Sequence, residues 1–138
     1  MSIREKPLTG GCQCGAVRYE IAEDPFAIYV CHCRECRKQS ASAFGISLQV
    51  RRAGFRVTRG APKTWSRAID STLDCRFCED CGSRLWDEMA GDVSTVTVKG
   101  GSVDDPVDMR LAIHIWTARR LPGVIIPEDA EQHAGEPE

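Results

Sequence analysis

The sequence contains no long apolar run. None of its 138 residues belongs to a stretch that approaches the roughly 20 consecutive apolar residues of a membrane-spanning helix. Residues 1–9 hold no apolar core of the length found in a secretory signal. We therefore expect a protein of the reducing cytoplasm with no membrane partner, in which thiols are rarely oxidised to disulfides.

Neither sign of charge is in excess. Eighteen Lys and Arg side chains stand against 20 Asp and Glu, for a formal net charge of −2. This balance excludes a polycation that binds nucleic acid by bulk charge, so nucleic acid is not an expected partner. The distribution is uneven, however, because residues 34–67 carry nine basic side chains and a single acid, Glu35. A solvated strand face and an anion-binding face are both compatible with this basic segment.

Long helical periodicities and fixed-period repeats are also missing. Short apolar alternations predict strands at residues 16–21, 44–50, 93–98 and 111–116, with weaker candidates at 64–67 and 83–86. A short helical turn is expected at Arg34–Ser40. The pattern predicts one mostly β domain of small sheets over residues 1–127. Residues 128–138, with five acids and no large apolar side chain, are predicted to form a disordered tail.

Cysteine, by contrast, is abundant, with eight in the chain. In a reducing compartment, closely spaced cysteines hold a metal more often than they form disulfides. Cys12 and Cys14 lie two residues apart, so their sulfurs point to the same side of an extended segment. Cys78 and Cys81 have the spacing of a tight metal-binding turn, followed by Gly82. These two pairs, the four-cysteine cluster, predict the closed tetrahedral shell of a structural zinc.

A second cluster has three members. Cys31, Cys33 and Cys36, the three-cysteine cluster, would leave one zinc position open for water or substrate, as catalytic zinc sites do. Three thiolate ligands weaken the Lewis acidity that ionises water, whereas a thiol bound to the cation is deprotonated, so we expect sulfur chemistry. His32 should point away from the sulfurs. It is a candidate ligand, hydrogen-bond donor or proton shuttle, or a surface side chain.

Cys75 leaves three alternatives open. It could close the second site as a fourth ligand, compete with Cys78 or Cys81 at the first, or be a buried free thiol. The spacing from Cys75 to Cys81 is also similar to part of an iron–sulfur motif, but the fourth Cys and the Pro of that motif are absent. The sequence does not choose among the first three.

Three motifs follow one another in a specific order: GGCQCGAVRY at residues 10–19, CHCRECRKQS at 31–40 and FCEDCGSRL at 77–85. With shorter matches at 101–106 and 114–117, they resemble the glutathione-dependent formaldehyde-activating enzyme and centromere protein V family, over residues 10–122. The chain departs from the family pattern at Ala41, where Gly is frequent, at the additional Cys75, and at Gly123, where an aromatic residue is usual.

The resemblance implies a β-tent of small antiparallel sheets that holds two zinc ions, one at each cluster. It also implies that a small thiol such as glutathione is added to formaldehyde or a related small aldehyde, with the reverse reaction a carbon–sulfur lyase. For this reaction we expect Arg37 and Lys38 to contact the carboxylates of the thiol. The alkoxide that forms is expected to be protonated by water or by His32.

A hypothesis of a different class is a non-catalytic zinc module. It would carry glutathione, or bind a protein or nucleic acid through residues 34–67. A second site closed by Cys75 would favour this module, and an open three-cysteine site favours the enzyme. The sequence does not indicate an oligomeric state.

Overall fold

The computed structural model describes residues 3–67 and 72–137. Residues 1–2 and 68–71 of the predicted domain (1–127) and residue 138 of the predicted tail (128–138) lie outside the described residues. The described chain forms one helix, α1 (Arg34–Ser40), several 3-10 turns and ten strands: β1 (Ile3–Gly11), β2 (Arg18–Glu23), β3 (Ala27–Cys31), β4 (Gly45–Arg51), β5 (Phe55–Arg59), β6 (Lys63–Ser66), β7 (Leu73–Phe77), β8 (Arg84–Met89), β9 (Thr95–Lys99) and β10 (Ile113–Ile115). The predicted mostly β fold is confirmed. None of the helices in this part of the chain has the length and apolar character needed to cross a membrane.

The strands form two sheets. One has three antiparallel strands in the order β1-β2-β5, and the other has seven in the order β10-β3-β4-β9-β8-β7-β6. All neighbours in the larger sheet are antiparallel except β10, which runs parallel to β3. A parallel pair requires a long crossover connection, and here the chain between β3 and β10 provides it.

Alternation along the strands builds the core. Side chains at every second position of β2, β4 and β9 are buried, and they pack with two neighbouring residues of β8 into one apolar cluster: Tyr19, Ile21, Leu48, Val50, Leu85, Trp86, Val96 and Val98. The ring of Trp86 meets that of Phe55 at 4.9 Å between centroids and that of Tyr19 at 6.2 Å. The cluster joins β2 of the small sheet to three strands of the large sheet.

Residues 128–137, the C-terminal segment, pair with β10 although their composition predicts a disordered tail. His114 N–H donates to the Glu131 carbonyl (2.9 Å), His133 N–H to the His114 carbonyl (2.8 Å) and Trp116 N–H to the Gly135 carbonyl (3.0 Å). β10 is an edge strand of the large sheet, and unpaired backbone groups at an edge favour pairing with another segment. Backbone pairing needs no apolar side chains, so composition did not reveal it.

Candidate functional site

The four-cysteine cluster lies where the two sheets meet. Cys12 and Cys14 follow β1 of the small sheet, and Cys78 and Cys81 lie in the turn between β7 and β8 of the large sheet. Their four sulfurs lie within 4.8 Å of one another, with Cys12 Sγ and Cys14 Sγ 3.7 Å apart. Four thiol sulfurs at this separation fit a tetrahedral zinc ion. An ion held there would tie the two sheets together.

Local backbone geometry brings the second pair into place. Gly82 adopts a positive φ of 78°, a conformation that favours glycine, and its N–H donates to the Cys78 carbonyl at 2.8 Å. Hydrogen bonding by Ser83 lowers the pKa of the Cys81 thiol to about 5. A hydroxyl and backbone N–H groups thus support the thiolate form that metal binding requires.

The three-cysteine cluster forms where β3 passes into α1. Cys31 is the last residue of β3, Cys33 is the N-cap of α1, and Cys36 lies in the first helical turn. The Cys33 sulfur accepts a hydrogen bond from Cys36 N–H at 3.4 Å and lies 3.3 Å from Cys31 Sγ. All three sulfurs fall within 4.8 Å of one another. The strand end and the cap geometry therefore bring the predicted trio together.

The trio favours a bound cation electrostatically. The hydrogen bond from Cys31, aided by the positive charge of Lys99, lowers the pKa of the Cys36 thiol to about 6, while the same hydrogen bond raises the pKa of Cys31. This hydrogen bond therefore favours the thiolate form at Cys36. Three soft sulfur donors fit zinc better than a hard cation such as Mg²⁺.

A cavity of about 650 Å³, the reactive cavity, opens beside this cluster. Its wall contains the three cysteines, two buried charged residues (Asp87, Lys99), several rim charges (Arg34, Glu35, Arg67, Arg119, Glu136) and the indole of Trp116. Lys99 Nζ lies 3.6 Å from Asp87 Oδ2, and the two residues are 7% and 3% exposed. The sulfurs therefore face a space large enough for a small molecule, next to a buried ammonium group.

His32 does not join the cluster or line the reactive cavity. It is absent from the group of sulfurs that lie within 4.8 Å of one another, and it is completely buried, so it is not the surface side chain that the sequence allowed. Its Nε2 lies 3.0 Å from His114 Nδ1, and the two rings stack at 5.3 Å. His32 is thus committed to a buried histidine pair, and the structure does not place it where it could reach a substrate in the cavity.

Arg37 and Lys38 also lie outside the wall of the reactive cavity as described. Lys38 is exposed on α1, and Arg37 Nε is buried without an acceptor among the described residues. The basic residues that do line the cavity are Arg34, Arg67, Lys99 and Arg119. Sequence reasoning missed Lys99 because its position depends on strand register, which pairs it with Ser47 on the strand next to β3.

Cys75 belongs to neither cluster. It is completely buried on β7, where burial raises the pKa of its thiol to about 11. Gln39 Nε2 donates to its sulfur at 3.7 Å. Of the three alternatives left open by the sequence, the structure supports the buried free thiol.

The basic segment is largely compensated by acids. Five of its nine cations form ion pairs with residues that the structure describes, and four of these five acidic partners come from outside residues 34–67: Arg34–Glu35, Arg51–Glu23, Arg52–Glu88, Arg56–Glu20 and Lys63–Glu79. Such pairing reduces the excess charge on which a nucleic-acid-binding module would depend.

The fold and the site together define a class: a β-sheet protein with two cysteine clusters suited to metal, one joining the sheets and one opening on a cavity. The family model described as glutathione-dependent formaldehyde-activating enzyme matches residues 7–119. The chain therefore belongs to this family.

The chain is also similar to a curated protein and to a solved structure. A Halomonas elongata protein provisionally named glutathione-dependent formaldehyde-activating enzyme is 35% identical over 86 residues, which cover 57% of this chain and 54% of the relative. The chain thus spans about half the length of that curated relative. The crystal structure of a Rhodobacter sphaeroides protein matches with a TM-score of 0.59 at 24% identity, over 75% of this chain and 93% of the other, and it supports the fold.

Proposed function

We propose that the protein adds a small thiol, with glutathione as the first choice, to formaldehyde at the three-cysteine cluster. The observation that carries this proposal is the convergence of three sulfurs on the wall of the reactive cavity. Membership in the family supports glutathione and formaldehyde as the substrates. The reaction forms a carbon–sulfur bond, and its reverse is a lyase reaction. A cytoplasmic location is part of the proposal, because cysteines that bind zinc must stay reduced.

The residues present fit a zinc ion at each cluster. Zinc at Cys31, Cys33 and Cys36 would supply a positive charge that keeps a substrate thiol ionised at neutral pH. The four-cysteine cluster would serve the fold. Cys75, outside both, would take no part.

We propose that Lys99 donates a proton to the aldehyde oxygen. When the thiolate sulfur attacks the carbonyl carbon, the π pair of the C=O bond moves to oxygen, which must gain a proton to give the hydroxymethyl product. The ammonium group of Lys99 lies in the cavity wall and can donate that proton, which water then restores. A preoriented donor in a buried site stabilises developing charge more strongly than bulk water does. Lys99 therefore takes the role that the sequence suggested for His32.

The rim of the cavity offers contacts for the carboxylates of the thiol. Arg34 and Arg119 both line the cavity and are exposed, so we propose them as the direct contacts. Guanidinium groups suit this role because they bind carboxylates with two parallel hydrogen bonds. Arg37 and Lys38 remain candidates for longer-range attraction of an acidic substrate.

Exchange NMR on a mixture of glutathione and formaldehyde tests the proposal. We expect the zinc-loaded protein to accelerate interconversion with S-hydroxymethylglutathione above the rapid uncatalysed exchange. Cys33→Ser should remove this acceleration because it deletes one sulfur of the cluster. Cys75→Ala is the matched control and should retain it. Equal exchange rates with the wild type and Cys33→Ser would refute the proposed activity.

A further inference from the structure

One wall of the reactive cavity comes from a part of the chain outside the family match. Glu136 lies in the C-terminal segment, beyond residues 7–119, yet it lines the cavity together with the three cysteines. Backbone hydrogen bonds hold the segment against β10 and the turn that follows it, including Thr117 N–H to the His133 carbonyl at 3.1 Å. The carboxylate is therefore part of an ordered wall.

Trp116 fixes the carboxylate at this position. Its indole Nε1–H donates to Glu136 Oε1 at 2.8 Å, and its backbone N–H donates to the Gly135 carbonyl at 3.0 Å. Trp116 itself has a positive φ of 55°, which is unfavourable for a bulky residue and is tolerated only where surrounding contacts hold it. Two hydrogen bonds from Trp116, a residue whose backbone is itself strained, therefore hold the Glu136 carboxylate at the cavity.

The charge of Glu136 is available to a ligand. Its carboxylate is exposed and forms no ion pair with any residue that the structure describes. The other charged residues of the rim include Arg34 and Arg119, which we have proposed for substrate carboxylates. Glu35 also lies on this rim, where its carboxylate is 3.7 Å from Arg34 Nε, so Glu136 is the rim acid that has no ion pair among the described residues. A rim with several cations and this unpaired anion is complementary to a zwitterion.

We propose that Glu136 is a specificity-determining residue that selects thiols carrying a free ammonium group. This inference rests on the proposed function, because it names the class of thiol that the same cavity takes. Glutathione and cysteine-derived thiols have both carboxylates and an ammonium group. Carboxylates would contact Arg34 and Arg119 while the ammonium group contacts Glu136, so that the sulfur is oriented towards the three-cysteine cluster. Simple uncharged thiols would lack this orientation.

The test compares the binding of two thiols that differ in one group. Glutathione and its desamino analogue, glutaryl-cysteinylglycine, are titrated into the full zinc-loaded chain by calorimetry without aldehyde, so turnover is not needed. An ion pair at an exposed rim is weak, and we expect glutathione to bind about three- to five-fold more tightly than the analogue. Glu136→Gln should remove this preference while its amide oxygen still accepts the Trp116 hydrogen bond. Glu128→Gln, in the same segment but outside the cavity wall, is the matched control and should keep the wild-type ratio.

The outcomes separate this inference from the proposed activity. Equal affinities of the wild type for the two thiols, an unchanged ratio in Glu136→Gln, or no binding of glutathione would each overturn the role of Glu136. The expected ratios together with no acceleration of the exchange reaction would instead support Glu136 and refute the proposed activity.

Discussion

At the scale of single residues, Lys99 is a buried positive charge in the wall of the reactive cavity. It is 7% exposed, and its partner Asp87 also accepts a hydrogen bond from Arg84 Nη2 at 2.9 Å. One carboxylate thus faces two cations, which leaves one positive charge in the wall. Burying an unbalanced charge is costly, and the nearby thiolate cluster offers the compensating negative charge.

Replacing Lys99 by Gln should slow the reaction more than it weakens binding. Removing a donor to developing negative charge costs on the order of 100-fold in kcat, and the KM for glutathione should change little. Steady-state kinetics on the zinc-loaded variant measure both constants. Lys63→Gln, an exposed lysine paired with Glu79 outside the cavity, should behave as the wild type. A raised KM with unchanged kcat would show that Lys99 binds substrate and does not assist the chemical step.

At the scale of elements, the ends of α1 carry different functions. Its N-terminus is capped by the cluster residue Cys33, and its C-terminus by Ala41, which has a left-handed φ of 51°. The left-handed conformation crowds the Cβ atom of a non-glycine residue. The departure from the family's frequent glycine at this position therefore has a structural cost, since Ala41 must hold a conformation that glycine adopts freely.

Ala41→Gly should stabilise the protein. Relief of the left-handed strain outweighs the greater backbone entropy that glycine loses on folding, for a net gain of about 0.5–1 kcal/mol in the free energy of unfolding. Urea unfolding measures the gain. Ala53→Gly, exposed and without a positive φ, provides the comparison and should destabilise. A loss of stability in Ala41→Gly would contradict the strain argument.

Apolar alternation predicted six of the ten strands that the structure describes, including β6, which is exposed at all four positions, and it missed the other four. The predicted stretches 16–21, 44–50 and 93–98 correspond to β2, β4 and β9, and the three weaker or terminal candidates to β6, β8 and β10. β1 contains Pro7 and charged residues, and β5 is exposed at four of its five positions, so neither shows an apolar period. β3 and β7 were also missed. The parallel pairing of β10 with β3 joins positions more than 80 residues apart, and no local pattern encodes it.

Each pair or trio of cysteines was predictable because its members are close in sequence. The joining of Cys12 and Cys14 to Cys78 and Cys81, in which Cys14 lies 64 residues from Cys78, was predicted from the four ligands that a structural zinc requires. Spacings of two and three residues impose a common direction on the sulfurs, and the structure brings both groups together as expected. The cavity wall was not predictable in this way. Lys99, Asp87, Trp116 and Glu136 lie on four different parts of the chain and meet only through sheet register and the docking of the C-terminal segment. The predicted contacts His32, Arg37 and Lys38 were chosen by sequence proximity to the cysteines, which does not determine the direction of a side chain.

At the scale of the whole molecule, a zinc ion bound at the four-cysteine cluster would link the two sheets through metal–sulfur bonds. Apolar packing of Tyr19 and Ile21 against the large sheet is the other main link. A domain of this size has a total stability of about 5–15 kcal/mol. The metal contribution of a closed cysteine site, on the order of 10 kcal/mol, is comparable to that total.

Removing one cysteine from the four-cysteine cluster should therefore unfold the protein, whereas removing one from the three-cysteine cluster should not. Cys78→Ser is expected to leave the chain largely unfolded, because it removes the metal that joins the sheets. Cys33→Ser should stay folded and lose only the second metal. Circular dichroism with metal analysis of both variants tests this, and a folded Cys78→Ser with an unchanged thermal midpoint would be evidence against the structural role.

The attachment of the C-terminal segment to β10 also sets an order of events during synthesis. Chains leave the ribosome from the N-terminus, so Cys31, Cys33 and Cys36 emerge long before Glu136. The three thiols are consequently open to metal delivery while the last wall of the cavity is still being translated. An ion that binds after release would instead reach the thiols through the cavity that Glu136 completes.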